Sequence, residues 1–207
     1  MTDDKHRITD VQTLTTLYGN PGPTSLRKEI DYLHPYYQAF IKASPFMVLA
    51  TGNAQGLDTS PRGDPAGFVT IEDDKTLLIP DRRGNNRIDS LRNIVADPRV
   101  ALLFLIPGIG EALRVNGQAH ISVDPALLGR FEVDGKKPRS VIVLAVERVF
   151  FQCSRAIMRS ELWNPERHIA RDTLPSTGTI LQTLSKSEID GVEYDAVLVE
   201  RQKATLY

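Results

Sequence analysis

The sequence predicts a mainly β protein with added helices (α+β), built as a small barrel of six or seven mostly antiparallel strands. Three observations predict it. Short β-rich runs broken by turn residues fill Phe46 to Phe151. Residues 113–123 alternate apolar and polar, with Leu113, Val115, Ala119, Ile121 and Val123 on one face and Arg114, Asn116, Gln118, His120 and Ser122 on the other. Helical spacing is confined to the two ends and to a few inserts.

Taken in order, a short helix is expected over Thr9 to Tyr18, ended by the cluster Gly19-Asn20-Pro21-Gly22-Pro23. A second, interrupted at Pro35, spans Thr24 to Ala43 on the spacing of Leu26, Ile30, Leu33, Tyr37, Phe40 and Ile41. Four strands follow, PFMVLAT, LDTSPR, FVTI and TLLIP, separated by GNAQG, GDPAG and EDDK; their hairpin spacing predicts a meander. A helix over Asn86 to Val95 stops at Asp97-Pro98. RVALLFLI is apolar on both faces, the alternating strand comes next, and SVIVLAVERVFFQC closes the series after a short helix near Pro125 to Phe131. Beyond Cys153 the reading is a short helix through Leu162, a loop over Trp163 to Pro175, a helix near Thr179 to Ser185 and a strand-like AVLVE. Nothing resembling a linker interrupts the chain, so residues 1–207 are expected to form a single domain: a helical extension (1–44), a barrel core (45–152) and a C-terminal segment (153–207).

The composition is ordinary for a globular chain, with 41% of positions apolar. Lys and Arg number 25 against 26 Asp and Glu, a net charge of −1 that leaves no global field to attract nucleic acid or an acidic membrane. Any anion site must be local. One cysteine cannot form an internal disulfide, and the first thirty residues lack the apolar core of a signal peptide, so a cytoplasmic location is expected. The longest apolar run, Val100 to Ile109, is about half of a membrane span, so no membrane segment is expected.

The segment PDRRGNNRIDSL, Pro80 to Leu91, carries the chemistry. It follows a strand, turns through a glycine and enters a helix with Arg82, Arg83 and Arg87 close together. Guanidinium forks and the free N–H groups of a helix start are what a phosphate dianion needs to offset its desolvation. Asn85 and Asn86 can cap the helix and present their amides to the same anion. The competing reading is a solvated basic hairpin whose asparagine caps its own helix.

From MVLAT through SPRGDPAGF, LLIPDRRGNNRIDSL, DPRVALLF and ALRVNGQAHIS, the chain resembles the pyridoxamine 5'-phosphate oxidase-like superfamily. The segment FFQCSRAIMRSELWNP, Phe150 to Pro165, resembles a bacterial subgroup of it. That resemblance implies a split β-barrel homodimer with FMN at the subunit interface and residues 153–207 at that interface. It implies that Arg87, Asn85 and Asn86 form the phosphate-binding helix start and that Arg82 or Arg83 adds a second contact. Ser60 and Arg62 would lie beside the flavin ring or ribityl chain, and Pro80 and Asp81 would border it. Arg155, Arg159 and Trp163 match a region that can reach the flavin from the second subunit, although Trp163 fits a core or interface position equally.

The implied function is that of an FMN-dependent oxidoreductase acting on a small molecule through flavin N5; the alternative is a non-catalytic carrier of flavin, haem or deazaflavin. NNRI stands where the oxidase has SRKA, Ala112 falls at its flavin-contacting glutamine, and its C-terminal substrate segment has no counterpart. FMN binding therefore carries over better than vitamin B6 oxidation. No catalytic base is assigned, because the protein's part in such a site is positioning and electrostatics. Gly108-Ile109-Gly110 reads as a turn between strands, and His6, His34, His120 and His168 lack metal-ligand spacing, so no metal is expected. Cys153, next to Ser154 and Arg155, could have its thiol lowered by nearby cations, but buried cysteines are common at strand ends and usually inert, so it is not read as a nucleophile. Asp58 and Asp64 show no pattern that argues for two-carboxylate chemistry.

Overall fold

The computed structural model describes residues 5–207; residues 1–4 of the expected N-terminal extension lie outside it. Seven strands form one antiparallel sheet: β1 (Phe46–Asn53), β2 (Gly56–Gly63), β3 (Thr70–Ile71), β4 (Thr76–Asp81), β5 (Arg99–Leu105), β6 (Ala112–Ser122) and β7 (Ser140–Gln152). Their order is β2-β1-β5-β6-β7-β4-β3, a split barrel whose sheet is not closed into a complete ring.

Register follows the hydrophobic pattern. Leu49 lies opposite Leu102, Leu102 opposite Val115, and Val115 opposite Val149, so one face of the sheet forms a continuous core with Met47, Phe104, Leu113, Leu77 and Ile79. A bulge between Asn116 and Gly117 shifts the pairing of β6 with β7. Gly117 is required there, because a Cβ would sit 2.0 Å from the Ala145 carbonyl oxygen. β4 is buried on both faces: its outer side chain Leu78 meets Phe131 and Val141 beneath the short helix α5 (Pro125–Gly129).

Before the sheet come α1 (Val11–Tyr18), capped by Asp10, then α2 (Pro23–Arg27) and α3 (Pro35–Ala43). Prolines at the first positions start both later helices, so Thr24 to Ala43 is two helices with an extended stretch between them, whose Ile30 bridges to Val149. Helix α4 (Asp89–Ala96) lies on β1 and β2, fixed by Asn93 donating to Thr51 Oγ1 at 3.1 Å and Asn53 donating to Asn93 Oδ1 at 2.6 Å. After β7 come α6 (Arg155–Ser160), α7 (Thr177–Leu184) and α8 (Gly191–Ala204).

The four-strand meander is not formed. β1 pairs with β2 and β3 with β4, but β2 and β3 lie at opposite edges of the sheet. Among β2 side chains the inward ones are Asp58, Ser60 and Arg62, which offer no apolar face for β3 to join. AVLVE belongs to α8, not to a strand: Asp190 caps the helix by accepting from Val192 and Glu193, and good helix formers from Glu200 to Ala204 extend it. α7 and α8 cross at Gly178 and Gly191, both buried, where an added Cβ on Gly178 would lie 2.0 Å from the Gly191 carbonyl oxygen. Among the described residues no helix is long and apolar enough to cross a membrane.

Candidate functional site

Period-two geometry turns Asp58, Ser60 and Arg62 inward from β2. On the far side of the sheet's opening, β3 ends opposite Leu77 and Leu78, leaving β4 unpaired on that edge from Ile79 to Asp81. Pro80, which has no N–H to offer a neighbour, falls in this stretch. Between the two edges lies a cavity of about 730 Å³, closed below by residues 82–91 and on one side by Arg139 and Ser140 at the start of β7.

Charges join the two edges. Arg62 pairs with Asp81, and Arg82 Nε donates to Asp64 Oδ2 at 2.8 Å while its Nη1 donates to the Phe131 carbonyl oxygen at 2.6 Å. Tyr207 donates to the second Asp64 oxygen at 2.6 Å. Asp58 accepts from Ser90 Oγ at 2.5 Å and so holds the first turn of α4 against β2. The two aspartates thus act as anchors.

The loop before α4 departs from the expected helix start. Asn85 Oδ1 accepts from the Arg87 backbone N–H at 3.1 Å, and Asn86 Oδ1 accepts from Arg139 Nη1 at 3.0 Å, so neither caps the helix. α4 begins at Asp89, preceded by Ile88 with φ 52° and no side-chain cap. Asn86 also has positive φ, 61°. For Ile88, a β-branched residue, this conformation is strained, and it spends the residues of a predicted first turn on shaping the loop. Arg87 Nε donates to Asp89 Oδ2 at 2.9 Å. Arg83 is exposed on the cavity lining and has no hydrogen bond or ion pair among the described residues.

Nine of the twelve residues singled out in the sequence line this cavity: Ser60, Arg62, Pro80, Asp81, Arg82, Arg83, Asn85, Asn86 and Arg87. Arg155, Arg159 and Trp163 do not. They follow the opposite end of the 13-residue β7, where Trp163 Nε1 donates to the Ile109 carbonyl oxygen at 2.8 Å. At that same end a second cavity of about 530 Å³ is lined by Tyr32, Tyr36, Phe40, Glu111 and Phe151.

Cys153 is exposed, contrary to the expected burial. The Arg155 backbone N–H and the nearby Arg155 and Lys28 charges hold its thiol below the ordinary value. Sequence reasoning missed Arg139 and Ser140, which reach the cavity only because β7 pairs with β4, Ser140 opposite Asp81. No group of three or more His, Cys, Asp or Glu arranged to hold a metal occurs among the described residues.

Buried Arg62 Nε has no hydrogen-bond partner. Arg83, which lines the cavity and has no partner among the described residues, leaves a guanidinium fork available to a ligand's phosphate. The residues present fit FMN, and the cavity volume lies within the range typical of small-molecule sites, roughly 300–1,000 Å³.

A family model described as pyridoxamine 5'-phosphate oxidase matches residues 33–153. Among solved structures, the HupZ protein of Group A Streptococcus is 22% identical with a TM-score of 0.48, over 58% of this chain and 94% of that one. General stress protein 26 of Bacillus anthracis is 17% identical (TM-score 0.42; 55% and 88% of the two chains). A Clostridium acetobutylicum protein related to general stress protein 26 is 12% identical (TM-score 0.45; 57% and 86%). No curated protein matches the chain in sequence.

Proposed function

The chain belongs to the pyridoxamine 5'-phosphate oxidase family, and on that premise we propose that it is an FMN-binding oxidoreductase acting on a small molecule. The observation that carries this reading is the cavity at the sheet's opening, lined by Ser60 and Arg62 of β2 and by a basic loop whose Arg83 guanidinium has no partner among the described residues. In this reading Arg83 and Arg87, with Asn85 and the first backbone N–H groups of α4, hold the phosphate. Arg62 and Ser60 face the flavin ring or ribityl chain, and Pro80 and Asp81 form its border. FMN supplies two-electron transfer through its N5 when bound. Arg62, held in place by Asp81, would stand near the ring and would supply a fixed guanidinium in a partly desolvated site, where it would favour negative charge on a bound ligand.

The homodimer completes the reading. Arg155, Arg159 and Trp163 do not line the cavity of their own chain, and in this reading a second copy of the chain brings them to the flavin. Single-domain organisation and a cytoplasmic setting belong to the same proposal.

The test is an absorbance spectrum of the purified protein, with ligand released by heat run against FMN, FAD and riboflavin standards. Released FMN, or micromolar binding of added FMN, supports the reading. A colourless protein that binds no added FMN removes it.

A further inference from the structure

Tyr207 makes contacts that the cavity's own loop does not account for. Its hydroxyl donates to Asp64 Oδ1 at 2.6 Å, and the Arg82 guanidinium carbon lies 5.4 Å from the centre of its ring. The Asp64 side chain is 4% exposed, and its other oxygen is taken by Arg82. Among the described residues from Leu174 onward, every other hydrogen bond and ion pair stays within residues 171–207. The helical hairpin α7–α8 packs on itself at its glycine crossing, and its polar tie to the sheet is this one residue.

We propose that Tyr207 is a latch: it fastens the helical hairpin to the cavity wall and holds Arg82 as part of that wall, so that docking of the hairpin and occupancy of the cavity are linked. The identity of the ligand rests on the flavin reading; the latch itself does not. Arg82 has Nε on Asp64, Nη1 on the Phe131 carbonyl and the Tyr207 ring beside its plane, so turning toward a phosphate would break buried contacts. Arg82 is therefore a positioning residue, and Arg83 is the guanidinium left without a partner among the described residues. The hydrogen bond to Asp64 also raises the Tyr207 phenol above its ordinary value, which keeps the donor protonated. Linkage makes the coupling reciprocal: a ligand that tightens the wall must fasten the hairpin to the same degree.

The experiment is arginine modification by phenylglyoxal on the full chain, mapped by peptide mass spectrometry without added ligand, with Arg83 as internal reference. Wild type is compared with Tyr207→Phe, which keeps the ring, and Tyr207→Ala; circular dichroism checks that both fold. Relative to Arg83, Arg82 is expected to react at least about fivefold faster in Tyr207→Ala, and amides of residues 191–204 to exchange faster in both variants. Equal Arg82 rates with equal exchange in wild type and Tyr207→Ala overturn the latch. Added FMN is then expected to slow exchange over 191–204 in wild type but not in Tyr207→Ala. If FMN binds and leaves the hairpin's exchange unchanged, the linkage is overturned. If FMN fails to bind while the Arg82 rates differ, the latch stands and the flavin reading falls.

Discussion

Arg62 on β2 is joined to Asp81 on β4 although four strands lie between them in the sheet. No backbone ladder connects these strands, so this pair, with Arg82–Asp64 beside it, draws the two ends of the sheet toward each other. Both side chains are mostly buried, at 18% and 15% exposure. Removing one partner strands the other charge. Arg62→Met is expected to cost about 2–4 kcal/mol, and Arg62→Met with Asp81→Leu to recover most of that loss. Urea unfolding of wild type and the two variants measures both values, and a double variant no more stable than the single would refute the pairing argument.

Arg83 offers the opposite case. It is exposed and makes no hydrogen bond or ion pair among the described residues, so Arg83→Ala is expected to leave stability within about 0.5 kcal/mol. If it holds the phosphate, FMN affinity falls about tenfold, equivalent to about 1.4 kcal/mol, while riboflavin affinity stays unchanged. Flavin fluorescence titrations with the two ligands check this.

At the crossing of α7 and α8, Gly178→Ala would put a Cβ 2.0 Å from one oxygen and 2.6 Å from Asp195 Oδ2. The helices must part, at an expected local cost of about 1–3 kcal/mol. Hydrogen exchange should rise over 177–204 while the amides of β5 to β7 keep their protection. Uniform loss of protection would place the hairpin inside the main cooperative unit.

Acid should loosen the turn between α4 and β5. Hydrogen bonds from the Arg99 guanidinium, then from its backbone N–H, pull the Asp97 carboxyl from 3.8 down to about 2. A carboxylate lowered on folding stabilises fully above its unfolded value, and the contribution fades as pH falls from 3.8 toward about 2. The pair is solvent-exposed, so the effect is modest and weakened by salt. Thermal melts across that window should show a shallower acid slope for Asp97→Asn than for wild type.

Much of the barrel is legible in the sequence because its signal is local. Strict alternation from Leu113 to Ser122 announces β6, and GNAQG announces the β1–β2 hairpin. The basic loop is legible as residue types, and nine chosen positions share one cavity. What is illegible depends on distance along the chain. Arg139 enters the cavity through a β4–β7 pairing that no short window encodes, and Tyr207 meets Asp64 across 143 positions. Local pattern also misleads where tertiary context decides: Val197 and Val199 look like strand residues, yet an Asp190 cap and the flanking helix formers carry them into α8.

The unpaired edge of β4 has one more consequence. An open strand edge is a template on which a strand of another molecule can add, the first step toward uncontrolled aggregation. Here Pro80 withholds a donor and Asp81, Arg82 and Arg83 follow it with charge, so a foreign strand finds neither bonds nor a dry surface. The residues that shape the cavity thereby also guard the protein's colloidal behaviour. Replacing them with apolar residues would endanger solubility before it revealed anything about binding.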